Sequence, residues 1–221
     1  MKRQIARALR RCGSTAAAAR LRATAAAHGA ECHVSLHPTA TVSPAVRLAL
    51  EGPGLIAIRV GPGSIIEEGV LLQLGPGARL DIGPAVTIRR GCVLNVTGRL
   101  TFRGDNLLSW GSVVHCAESV TFERMAGTGE MITVVDGSHY RRDRDDHWYH
   151  NSATAPVVIG YNAWLASKST VGKGVRVGAA STVGANSLAS EDVPDGCLAV
   201  GVPAQVVPRD ASRRRAATPG R

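Results

Sequence analysis

The chain has 221 residues, 44% hydrophobic but only 4% aromatic, so it can bury one sizeable core filled by Val, Ile, Leu and Ala rather than by large rings. The formal net charge is +9, yet no aromatic residues interleave with the basic runs and no nucleic-acid motif accompanies them, which argues against nucleic acid as a partner. No run of eighteen apolar residues occurs to span a membrane, and the five cysteines, Cys12, Cys32, Cys92, Cys116 and Cys197, are scattered without CxxC spacing, as expected in a reduced, cytoplasmic setting.

Residues 1–30, MKRQIARALRRCGSTAAAARLRATAAAHGA, contain seven Lys or Arg and no acid. Ala and Arg favour helix, and Ile5, Ala8, Leu9 and Cys12 fall on one helical face, with Gly13-Ser14 as the place for a break. Three roles are open to this segment: a capping or subunit-packing helix, a peripheral contact with an anionic membrane surface, and a targeting peptide. It lacks the continuous apolar stretch of a secretory signal.

From about Pro38 to Asp105 a six-residue rhythm is present but irregular, as in LIAIRV, GPGSII and EEGVLL, with VGPGS, LGPGA and DIGPA as corners. The next stretch, SVVHCAESVTFERMAGTGEMITVVDGSH, continues the core through Val114, Val120, Phe122, Ile132 and Val134. Neighbours on a strand face opposite ways, which disfavours a Cys–His nucleophile pair between His115 and Cys116. Then HYRRDRDDHWYHNSATAP abandons the rhythm, so residues 140–156 are expected to loop out. Loops on a rigid scaffold concentrate function, and this one sets His139, His147, His150, Trp148 and Tyr149 on or beside one edge.

The chain re-enters the pattern at Val157 in its clearest form: IGYNAW, LASKST, VGKGVR, VGAAST, VGANSL. Ile159, Leu165, Val171, Val177 and Val183 lead the five hexads, and Ala163, Ser169, Val175, Ser181 and Ser187 stand four places behind them. Glycines at this density exclude a long helix, and one short strand plus one tight corner per six residues does not make a hairpin sheet. Such hexads predict a parallel β-helix, three to a triangular turn, in which each coil buries its apolar face on the next.

In order, TVVDGSH, APVVIGYNAWLASKSTVGKGVRVGAASTVGANS and SEDVPDGCLAVGVPAQVV resemble the left-handed β-helix acyltransferases of the hexapeptide-repeat superfamily, above all galactoside, maltose and polysaccharide O-acetyltransferases. The strong likeness covers roughly residues 110–208. It implies an all-β, left-handed parallel β-helix over 31–208, with a basic helical segment at 1–30 and a basic, disordered tail at 209–221. It further implies a homotrimer with acetyl-CoA in a groove between neighbours, a sugar, glycan or similar hydroxylated acceptor, and His139 as the general base.

By position in the family motifs, Ser167 and Ala185 are expected along the pantetheine arm, Ser190 near its distal end, and Trp164 lining the site between subunits. Asp136 is expected to hold the imidazole or approach the acceptor, with His115, Trp148 and Tyr149 on the acceptor side. Relatives often have Lys where this chain has Glu191, and some have Arg where it has Gln205. The coenzyme phosphates are therefore expected on Arg209, on Lys168, Lys173 and Arg176, and on the Arg213 to Arg215 cluster. No metal is expected, although His139 with the HxxH pair His147 and His150 allows a zinc reading on the same fold. The alternatives are N-acetylation of an amino sugar or nucleotide sugar, and a non-catalytic scaffold.

Overall fold

A computed structural model of the chain describes residues 2–145, 147 and 151–208, with side chains described outside 2–14 and 208. Both restricted positions of the hexads point inward. The leaders Ile159, Leu165, Val171, Val177 and Val183 are fully buried, and so, within 3% exposure, are Ala163, Ser169, Val175, Ser181 and Ser187 four places on. Each leader is the inward residue of a two- or three-residue strand, and the residue four places on turns the corner back into the core.

The corner itself needs a left-handed residue three places after the leader, and Asn162, Lys168, Gly174, Ala180 and Asn186 all have φ between 53° and 77°. Coils also approach closely where the second hexad position is glycine. A Cβ on Gly178 would lie 2.5 Å from the backbone nitrogen of Asp195, so only glycine fits.

Stacked coils form three parallel faces of a solenoid of about seven turns. The first face runs from Glu31–Leu36 through Arg99–Phe102 and Ser119–Phe122 to Arg176–Val177. The second runs from Thr41–Val42 to a closing antiparallel hairpin, Cys197–Gly201 with Ala204–Pro208. The third runs from Arg47–Leu50 to Leu188–Ala189.

Inward ladders fill the interior. One is Val60, Ile82, Phe102, Phe122, Ile159 and Val177; another is Leu48, Leu72, Leu94, Val114, Val134, Val171 and Ala189. Phe102 and Phe122, the only two phenylalanines, stack with ring centroids 4.7 Å apart. Coil length explains the irregular lower rhythm. Glu31 pairs with Leu55, twenty-four residues on, Ile58 with Leu80 after twenty-two and Leu100 with Val120 after twenty, whereas Val158 meets Arg176 after eighteen.

Helix α1, Lys2–Ala27, seats Ala17, Ala18, Leu21 and Ala25 against the first coil, packing on β1, Glu31–Leu36, and on strands Thr41–Val42 and Arg47–Leu50. It runs on through Gly13-Ser14, where the sequence allowed a break. A single glycine costs a helix about 1 kcal/mol, and the alanine-rich flanks and packed second half outweigh it. Among the described residues no helix is long and apolar enough to cross a membrane.

The excursion expected as a loop over 140–156 is also more ordered at its root. Gly137–Tyr140 and Asn151–Thr154 pair antiparallel as a two-stranded ribbon standing off the coil.

Candidate active site

The ribbon leaves the solenoid at the corner between the third and first faces, and Asp136 is its root. The Asp136 side chain is fully buried. Its carboxylate accepts the N–H groups of Ala117 at 2.7 Å and of Glu118 and Ser119 at 2.8 Å, all from the coil below. The Asp136 carbonyl accepts the N–H of Ala155, where the ribbon returns. This corrects the expectation that Asp136 holds the imidazole or meets the acceptor. Both oxygens are committed to backbone donors that would otherwise lack partners at an enclosed corner.

Three residues on, His139 pairs with Ser152 across the ribbon and is exposed. Beneath the root, Cys116 is buried and its thiol pKa is pushed up to about 12, first by burial and then by the Asp136 charge. His115, its neighbour, faces outward and is exposed on the third face, between Asn95 below and Val135 above. The pair therefore diverges, as the strand geometry requires.

A second group lies at the corner between the second and third faces. Ser167 and Ala185 occupy the same corner place in successive coils, linked by the Asn186 N–H donating to the Ser167 carbonyl at 3.2 Å. Ser167 Oγ donates to Glu130 Oε2 at 2.6 Å and accepts the Glu130 N–H at 3.3 Å. That hydroxyl, then the Glu130 backbone N–H and the attraction of Arg89, hold the Glu130 carboxyl below its usual range. Gly129 is required here, because a Cβ would lie 2.5 Å from Ser167 Oγ.

Trp164 stands on the second face with 42% of its surface exposed, its ring edge over Gly127. Ser190 is exposed at the third–first corner, above Gly172 and on the ribbon's side. One chain thus gathers Ser167, Ala185 and Trp164 on one side and His139 with Ser190 on another, with the third face between them. Trp148, Tyr149 and Arg209 lie outside the described residues, as do His150 and the Arg213 to Arg215 cluster. Lys168, Lys173 and Arg176 are exposed. Among the described residues no three His, Cys, Asp or Glu side chains assemble as metal ligands.

The sequence reading missed the foot of the Ser167 ridge, where Glu130 and Trp110 hold the same corner place in the two coils below. The Lys168 N–H donates to the Glu130 carbonyl and the Met131 N–H to the Trp110 carbonyl, each at 2.8 Å. The signal was present as the second residue after each short strand of the second face, but it crosses the ribbon insertion and escapes any fixed period.

A parallel coil of hexads carrying a histidine-bearing ribbon defines a hexapeptide-repeat β-helix protein. No family model matches the chain. It is 30% identical over 108 residues to the galactoside O-acetyltransferase of Escherichia coli (strain K12), covering 49% of this chain and 47% of that protein. It is also 30% identical over 128 residues to the putative lipopolysaccharide biosynthesis O-acetyl transferase WbbJ of the same organism, covering 53% of this chain and 65% of that one. Among solved structures, AntD, an N-acyltransferase from Bacillus cereus in complex with dTDP and 3-hydroxybutyryl-CoA, superposes with a TM-score of 0.54 at 15% identity, over 85% of this chain and 87% of that one, and shares the fold. The chain has the stacked-coil fold seen in hexapeptide-repeat acetyltransferases and is similar in sequence to these O-acetyltransferases over about half of its own length, and it spans about half to two thirds of the length of these curated relatives.

Proposed function

We propose that the chain is an acetyltransferase that moves the acetyl group of acetyl-CoA directly to a hydroxyl of a sugar, glycan or similar small acceptor, acting as a homotrimer. The observation that carries this reading is the ribbon, which interrupts the coil between the turns of Glu130 and Ser167 and holds an exposed His139 outside it. In a cyclic assembly whose axis runs along the coil, equivalent residues of neighbouring copies stand at equal height. A neighbour's His139 then arrives at the level where Ser167 gives way to Glu130. That fits a site shared between copies, since within one chain the third face separates the two groups.

A sugar hydroxyl is scarcely ionised near neutrality, so its oxygen attacks a thioester only as its proton leaves. His139 takes that proton on a ring nitrogen while the new C–O bond forms; the C–S bond breaks, and the imidazolium returns the proton to the coenzyme thiolate. Histidine changes charge close to neutral pH, which suits it to both transfers, and a placed general base is worth about 10²–10⁴ in rate. The small ridge of Ser167 and Ala185 leaves room for the pantetheine arm and lets backbone N–H groups approach the developing oxyanion. Exposed Lys168, Lys173 and Arg176 supply positive charge for its phosphates.

Calorimetric titration of wild type and His139→Ala with acetyl-CoA and dephospho-CoA, followed by coenzyme-release assays with pyranosides and amino sugars, tests this. Both proteins are expected to bind acetyl-CoA, and the variant to lose about 10²–10⁴ in rate. Transfer to amino sugars alone would move the acceptor atom from oxygen to nitrogen. Failure of any CoA species to bind, or full activity in His139→Ala, refutes the reading.

A further inference from the structure

At the foot of the ridge three chemically distinct groups meet. Trp110 exposes 40% of its surface at a corner place filled by small Ser167 and Ala185 in the upper coils. The Arg89 guanidinium carbon sits 4.0 Å from the centre of the indole ring. Among the described residues Arg89 joins no ion pair, and its Nε is buried without a hydrogen-bond partner. Its neighbour Arg90, by contrast, is paired with Glu68 at 3.7 Å. On the other side of Trp110, Glu130 keeps its carboxylate on the surface, with one oxygen accepting from Ser167 Oγ. The guanidinium therefore lies over one face of the indole, while the carboxylate of Glu130, one coil above, turns toward Ser167.

We propose that Trp110, Arg89 and Glu130 form the subsite that holds the ring of a neutral, hydroxylated acceptor. The inference rests on the acetyltransferase reading above for its functional meaning. The chemistry selects the ligand class. The indole face away from Arg89 offers apolar surface to the C–H face of a pyranose, while a guanidinium donor beside the ring and a carboxylate acceptor one coil above match its hydroxyls. A carboxylate or phosphate on the ring would be drawn by Arg89 as it is repelled by Glu130, and an ammonium the reverse, so the opposed charges give neither sign a net advantage and leave hydrogen bonding to a polyol as the match. Position agrees as well. Successive coils stand about 4.8 Å apart, so Trp110 lies two steps down the ridge from Ser167 and one step below Glu130. A donor arm along Ser167 and Ala185 and a ring on Trp110 then bracket the level at which a neighbour's His139 arrives.

The test uses full-length protein and four probes, the methyl pyranosides of glucose, galactose, mannose and N-acetylglucosamine, with saturation-transfer NMR for binding and coenzyme release for turnover. Trp110→Ala and Arg89→Met are expected to weaken binding of the preferred pyranoside, and raise its KM, by about tenfold or more, as truncation of a buried anchor does. Trp110→Phe is expected to restore much of the loss. Unchanged acetyl-CoA binding in each variant shows that the ridge above is intact. Turnover of a pyranoside that Trp110→Ala leaves untouched overturns the subsite while the acetyltransferase reading stands. Pyranoside binding that is lost in Trp110→Ala, in a protein that binds no CoA, overturns the acetyltransferase reading and keeps the subsite. No pyranoside signal in wild type refutes the subsite outright.

Discussion

Replacing Asp136 by asparagine changes no volume and removes one charge. The carboxylate has two oxygens, one accepting from Ala117 and the other from Glu118 and Ser119. The best an amide can do is keep its carbonyl on the latter pair and turn its NH₂ toward the Ala117 N–H, donor against donor. One charge-assisted bond is lost, one buried donor is orphaned, and the two remaining bonds become neutral. With each hydrogen bond to a charged group worth about 1.5–3 kcal/mol and an orphaned group costing about 1–3, the loss comes to about 2.5–6 kcal/mol. For a chain of this size that lowers Tm by about 5–24 °C. Scanning calorimetry reads the midpoint, and hydrogen exchange at residues 117–119 locates the damage. Because Asp136 roots the ribbon that carries His139, kcat is expected to fall more than the KM for acetyl-CoA rises. A Tm within 1 °C of wild type, together with unchanged exchange at residues 117–119, would refute the account of the ribbon's root.

Other sites give further expectations. Gly178→Ala drives a methyl to 2.5 Å from the Asp195 nitrogen and 2.6 Å from the Pro194 carbonyl carbon, so chemical denaturation should reveal a loss of about 1–3 kcal/mol or more. Phe122→Ala removes half of the ring stack at a fully buried position, and a loss of about 3–5 kcal/mol is expected in the same experiment. Burial raises the thiol pKa values of Cys92 to about 11 and Cys116 to about 12. Above pH 9 the unfolded chain releases these protons while the folded one keeps them, so their contribution to stability is full below pH 9 and is lost as pH rises through 11–12. Stability curves of wild type and Cys116→Ala across pH 8–11 should diverge accordingly, and iodoacetamide should label Cys92 and Cys116 only after denaturation.

The upper coils were legible because leader and corner residues recur at a constant eighteen-residue turn, leaving the inward positions in plain view. Lower coils of twenty to twenty-four residues blur any fixed period, so the sequence indicates a core there but not which residues share a face. The histidine that ends DGSH was legible as a residue at an interruption, and it is exposed. Asp136 was misread because motif position says nothing about which way a side chain turns at a corner, and the amides of residues 117–119 come from seventeen to nineteen residues earlier. Trp110 and Glu130 escaped notice because their alignment with Ser167 crosses the ribbon, which stretches the offset between paired Val120 and Val157 to thirty-seven residues. Gly13 left a break open on local propensity alone, since the packing that sustains α1 lies further along it.

A stacked coil has no natural length, because every turn offers the next a ready set of unpaired backbone groups. At the first coil the outer edge is made by Glu31–Leu36, Thr41–Val42 and Arg47–Leu50, one short strand on each face, and helix side chains reach it: Arg22 donates to the Val34 carbonyl and Arg20 to the Val46 carbonyl. With Leu21 and Ala25 of α1 wedged against them, another molecule's last coil has nowhere to dock. Helix α1 in this sense covers the edge along which a geometry suited to fibres would otherwise continue.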